Sequence, residues 1–241
     1  MFERLPLWLR KTLAWSVHLF TGTGAVWGFL TLLAIWDLNF KLAIVYIIIA
    51  MFVDGFDGML ARWFHVKEYA KEVDGGLLDN IIDYLNYVVV AALLLVKVPG
   101  LLPAGFQMAG AIAILLTSGY QFTQTDAKTD NNAYFFKGFP SVWNFLVIYM
   151  MLLGLNPWIN LAALVLCNVL VFVPVKYLYP SRNNRLRRFT LGFTYLYGAV
   201  GIWGLLQYPD VPQWVAPLSF VYVAYYALLS FFPNLGSAKS A

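Results

Sequence analysis

The chain has 241 residues, 61% hydrophobic and 12% charged, and its mean hydropathy is +0.69. Soluble domains are about a quarter charged, so a soluble globular protein is excluded; apolar runs of membrane-spanning length recur instead. The formal net charge is +4, and the lone Cys167 excludes a disulfide within the chain and reads as a buried, inert thiol.

Backbone groups cannot stay unpaired in lipid, so the spans are expected to be helices. The alternating pattern of a β-barrel is absent. The reading is an all-α polytopic membrane protein, one membrane domain over 1–241, with about eight transmembrane helices. Residues 1–11, "MFERLPLWLRK", mix Leu and Trp with Arg and Lys and suit a basic interfacial segment. The first span is expected at 12–36, too long for a signal-peptide core and so retained. The others are expected at 40–62, 76–97, 101–121, 139–155, 158–176, 188–207 and 214–233, with 234–241 as a tail. Pro99 and Pro103, Asn156-Pro157, and Pro209 and Pro212 punctuate the pattern. No internal repeat and no low-complexity segment is evident.

With eight spans, both termini share a side. That side receives fourteen of the sixteen Lys and Arg residues, and only Lys41 and Lys97 fall on the other. The positive-inside rule then puts both termini in the cytoplasm. This sidedness points to anionic membrane lipid, not nucleic acid, as the partner of the basic residues.

Four of the twelve acidic residues are misplaced for a membrane: Asp54 and Asp57 in the second span, Asp79 and Asp83 in the third. A carboxylate at membrane depth is costly, and such residues usually face a cavity and carry function. Asp54 and Asp57 are i,i+3 and Asp79 and Asp83 are i,i+4, so each pair shares a helix face. The connection between the spans turns the chain back and can set the pairs opposite each other. Four converging carboxylates repel unless cations intervene, and Lys67 and Lys71 are not placed to neutralise them all. An all-oxygen site prefers a hard cation, Mg²⁺ or Mn²⁺, and two such ions suit phosphoryl chemistry. Gly55, Gly58, Gly75 and Gly76 leave the backbone open to a bulky phosphate. Close helix packing is the plainer reading of each alone.

"DGFDGMLAR" followed by "GGLLDNIID" resembles the CDP-alcohol phosphotransferase signature D-x-x-D-G-x-x-A-R…G-x-x-x-D-x-x-x-D. Its fixed positions are Asp54, Asp57, Gly58, Ala61, Arg62, Gly75, Asp79 and Asp83. The intervening "WFHVKEYAKEVD" is longer than in most members and resembles the bacterial phosphatidylcholine synthase branch. "AWSVHLFTGTGA" in the first span and "FKGFPSVWN" entering the fifth resemble that branch too. The resemblance implies a six-helix membrane core with a cytoplasm-facing cavity, to which the last two spans are an addition. It also implies a homodimer in the bacterial inner membrane.

The reaction implied is transfer of the phosphatidyl group of CDP-diacylglycerol to choline, releasing CMP. By the same likeness, Asp54, Asp57 and Asp79 ligate metal, with Asp83 as general base and a possible fourth ligand. Gly58 and Ala61 leave room for the nucleotide, Gly75 belongs with them, and Arg62 contacts nucleotide phosphate or simply snorkels. His18 and Thr21 contact cytidine or its phosphates, or hydrogen-bond between helices. Lys137 and Arg182 are candidates for lipid phosphate. "DAKTDNNAYFFKGFPS" is a lid over the acceptor site or a plain connector. Choline needs aromatic faces, and Tyr84, Tyr120, Tyr134 and Trp143 are the candidates. Two other readings stay open: a different acceptor for the same donor, such as serine, and an ion or proton transporter.

Overall fold

The computed structural model describes residues 2–124, 135–173, 176–178 and 187–231. Helix α1 (Leu7–Trp36) follows Pro6, whose fixed φ suits a helix entry. It runs without a break through residues 7–11, so that stretch is the first turn of a long rod and not a separate segment. Asn39 caps α2 (Phe40–Trp63), its side chain accepting from the Leu42 amide. A left-handed His65 (φ 50°) ends the run before the single turn α3 (Val66–Tyr69). Asp74 caps α4 (Gly75–Asp83), accepting from the Gly76 and Leu77 amides at 3.0 Å each. A π-helical turn (Tyr84–Val89) joins α4 to α5 (Val90–Lys97), and the three make one rod.

The fourth expected span starts later than its apolar run. Leu101 and Leu102 are buried but not helical; they plug the core from a turn shaped by Pro99, Gly100, Pro103 and Gly105. Gly100 and Gly105 take positive φ there. Helix α6 therefore covers Gln107–Thr123. Likewise α7 is only Trp143–Leu153, because positive φ at Gly138 and Ser141 keeps the preceding chain out of a helix. Then follow α8 (Pro157–Phe172), capped by Asn156, α9 (Arg187–Leu206) and α10 (Val215–Phe231). The only strands among the described residues are β1 (Phe135–Lys137) and β2 (Lys176–Leu178). They pair antiparallel, with Lys137 opposite Lys176.

Among the described residues, eight longer helical segments overlap the eight expected spans. This is an all-α polytopic membrane protein with one small ribbon. Three rods, Leu7–Trp36, Phe40–Trp63 and Gly75–Lys97, are each long and apolar enough to cross a membrane. The main core gathers Ile35, Ile47, Leu94, Leu95, Ile114, Trp143, Val147 and Leu164 from α1, α2 and α5 to α8. A second, smaller cluster of Ala14, Val17, Val66 and Ala70 closes the α2–α3 end of α1.

Both α2 and the α4 rod pack on α1. Gly24 and Gly28 on α1 make this approach possible. A Cβ at Gly24 would sit 2.7 Å from Ile82, and one at Gly28 only 2.6 Å from the Asn86 side chain. Small residues at such spacing let membrane helices come close. Asn86 uses the proximity, its amide donating to the carbonyls of Gly24 and Ile82 at 3.1 Å each.

Candidate active site

With α1 as common backing, α2 and α4 turn their acidic faces toward one another. Asp54, Asp57 and Asp79 each offer a carboxylate oxygen, and these oxygens lie within 4.8 Å of one another. Asp57 is buried, while Asp54 and Asp79 are partly exposed. Three like charges at that spacing cost energy unless a cation or protons compensate them. The oxygen-only donor set fits a hard divalent ion. Asp83 is one helical turn beyond Asp79, partly buried and outside the group of three.

Other signature positions surround this group. Thr21, buried on α1, interacts with the Asp57 carboxylate. Arg62 is exposed, its guanidinium beside Gly58 and its charge acting on Asp57. Gly55 faces open space, and the only neighbour of a Cβ at Gly58 would be the mobile end of Arg62. Both glycines therefore keep the helix surface accessible. Gly75 is different: a Cβ there would come within 3.1 Å of the His18 ring. His18 is itself buried, with Nε2 3.1 Å from the Ala70 carbonyl. Gly75 and His18 thus seat the connection before α4 against α1. Ala61 is partly buried and packs on the small cluster around Val66 and Ala70.

Of the four candidate cage aromatics, Trp143, Tyr84 and Tyr120 are among the described residues, and each packs or hydrogen-bonds elsewhere. Trp143 is fully buried, its indole N–H donating to Ser118 at 2.7 Å. Tyr84 donates to the Leu115 carbonyl at 2.9 Å and packs edge-on to Phe122. Tyr120 is half exposed and lies against Phe172. Trp143 thus packs as a core residue in this structure. Tyr134 and Arg182 lie outside the described residues, as does the Lys137 side chain and most of the 126–141 loop.

Sequence reasoning missed Tyr87. Its hydroxyl donates to Asp54 Oδ2 at 2.6 Å. Its ring stacks on Phe145 of α7. Asp79, Asp83 and Tyr87 are spaced i, i+4, i+8, so a shared helix face could have flagged it. A small cavity behind Asp54 is lined by Ile47, Ala50, Met51, Asn86, Tyr87 and Asn144.

Residues 15–174 match the CDP-alcohol phosphatidyltransferase family. The chain belongs to that family. All eight signature positions fall inside the matched stretch. The chain is also 41% identical over 225 residues to a phosphatidylcholine synthase of Legionella pneumophila, covering 91% of this chain and 88% of that protein. It is 37% identical over 239 residues to a phosphatidylcholine synthase of Rhizobium johnstonii, covering 98% and 97%. A third, from Borreliella burgdorferi, is 39% identical over 182 residues, covering 76% of each chain. As a family member, the chain presents its three clustered aspartates where the signature requires them, on two neighbouring helices.

Proposed function

We propose that this CDP-alcohol phosphatidyltransferase is a phosphatidylcholine synthase, transferring the phosphatidyl group of CDP-diacylglycerol to choline with release of CMP. The carrying observation is the meeting of Asp54, Asp57 and Asp79 in one oxygen cluster, in a chain matched nearly end to end by relatives bearing that name. The cluster is the reason for assigning phosphoryl chemistry, and the relatives are the reason for choosing choline.

Asp54, Asp57 and Asp79 would hold the divalent cation, Mn²⁺ or Mg²⁺, with Asp83 completing a second position. Such ions, when bound, neutralise charge on the pyrophosphate and on the departing nucleotide. Asp83 takes the proton of the choline hydroxyl as general base. The choline oxygen then forms its bond to the lipid-side phosphorus as the bond from that phosphorus to the CMP oxygen breaks. No covalent enzyme intermediate is needed. Arg62, exposed at the end of α2, faces nucleotide phosphate. Lys137 and Arg182 are assigned to lipid phosphate, and Thr21 orients Asp57. The site and both termini face the cytoplasm of a bacterial inner membrane, beside anionic lipid, in a homodimer.

An acceptor panel tests this reading. Purified protein is supplied with CDP-diacylglycerol, Mn²⁺ or Mg²⁺, and in turn choline, serine, glycerol phosphate and inositol phosphate. CMP release that requires both choline and the divalent ion is expected. Release with serine but not choline would move the protein to another branch. No release with any acceptor would overturn the enzymatic reading.

A further inference from the structure

We propose that Tyr87 is a positioning residue for the metal-binding carboxylates, holding Asp54 of α2 in register with the rod that carries Asp79. The proposal rests on the reading that Asp54 ligates a divalent cation.

The ligand set is split between two helices. Asp54 and Asp57 come from α2, Asp79 from α4, and both helices lean on α1. Backing by α1 fixes each helix but leaves their mutual register to contacts between them. The bond from the Tyr87 hydroxyl to Asp54 Oδ2, at 2.6 Å, is such a contact and ends on a cluster carboxylate. It is short, as charge-assisted O–H···O⁻ bonds are. It consumes one lone pair of Oδ2 and leaves the remaining acceptor positions of the carboxylate to the site.

A phenol suits this place. It donates a hydrogen bond to the Asp54 carboxylate without adding a charge of its own. An arginine or lysine would bring its own charge and compete with the metal. Two features aim the phenol. The π-helical turn at Tyr84–Val89 begins directly after Asp83 and sets the direction of Tyr87; such turns are rare and frequent at functional sites. Phe145 then fixes the ring, with centroids 6.3 Å apart and planes within 16°. Outer partners that orient a metal ligand typically govern metal affinity by 10–100-fold.

The test compares wild type with Tyr87→Phe, which keeps the ring and its stacking but removes the donor. Both are purified in lipid nanodiscs without CDP-diacylglycerol, and Mn²⁺ binding is titrated by electron paramagnetic resonance. The expected result is a Mn²⁺ Kd raised about tenfold or more, with the metal-free melting temperature little changed. In turnover, the apparent Mn²⁺ constant should rise while the rate at saturating Mn²⁺ largely recovers, a split that lost stability would not give. A variant Kd within about twofold of wild type overturns the role of Tyr87. Wild-type protein that binds no Mn²⁺ overturns the metal reading itself and this proposal with it. If Tyr87→Phe does not fold, Phe145→Leu keeps the phenol and removes its support. It should raise the Mn²⁺ Kd in the same direction by less, and an unchanged value overturns the proposal.

Discussion

At the scale of single residues, the four aspartates divide into two kinds. Asp54, Asp57 and Asp79 form one tight oxygen cluster, whereas Asp83 stands a turn away. Under the proposed function, Asp83 is the general base and completes a second metal position, while the other three hold the cation. Positioned bases typically contribute 10²–10⁴-fold. Asp83→Asn should therefore cut turnover by about that factor while CDP-diacylglycerol still binds, measured by CMP release and by ligand-dependent protection in the same preparation. Near-normal turnover would remove Asp83 from the base role. Asp79→Asn should instead weaken Mn²⁺ binding, because it deletes one of three charged ligands from one site. The aspartates were legible in the sequence because charge in an apolar run has few explanations. Tyr87 was not, because one tyrosine among fifteen has many.

At the scale of elements, glycines separate contacts that matter from those that do not. "TGTGA" contains two glycines that look alike in sequence. A Cβ at Gly22 meets nothing within 4 Å, while one at Gly24 meets Ile82 at 2.7 Å and one at Gly28, a turn later, meets Asn86 at 2.6 Å. Gly28→Ala should push Asn86 away from its Gly24 and Ile82 partners and cost about 1–3 kcal/mol, the usual range for overpacking. Gly22→Ala should be neutral in the same melting assay, and equal effects would refute the packing argument. Gly138 is stricter still. It has φ +80°, and a Cβ would lie 2.3 Å from the Val171 carbonyl oxygen. The next residue, Phe139, donates its amide to Leu170, so the chain entering α7 is fastened to the end of α8. Gly138→Ala carries both a backbone penalty and a clash, and a melting temperature lowered by several degrees is the expected outcome.

At the scale of the whole molecule, the apolar surface and the charge pattern describe how the protein meets its membrane. Leu19, Leu116, Tyr195 and many other large side chains are exposed on the helices, which suits lipid and not water. The basic residues are the reason for the proposed sidedness. Single cysteines placed at Lys41 and Lys97, in a chain with Cys167 replaced by Ala, should react with an impermeant thiol reagent from outside intact cells. Cysteines placed at Lys67 and Lys71 should react only after lysis. The reverse pattern would invert the proposed topology and move the site off the cytoplasmic face.

The sequence by itself determined the helical membrane class, the eight segments and the four carboxylates, because hydropathy period and buried charge are local signals that need no knowledge of neighbours. It placed the fourth and fifth spans too early, since Leu101 and Leu102 are apolar for a reason that lies across the core and not in lipid. It offered Trp143 as a cage candidate because aromatic chemistry is the same in a cage and in a core; the structure shows that ring fully buried. Only tertiary structure brought Asp79 to Asp54 and Asp57, drew His18 onto the connection before α4, and set the Tyr87 hydroxyl on Asp54. Those are distances between residues far apart in the chain, and they follow from the packing of α2 and the α4 rod on α1 and from contacts between the two.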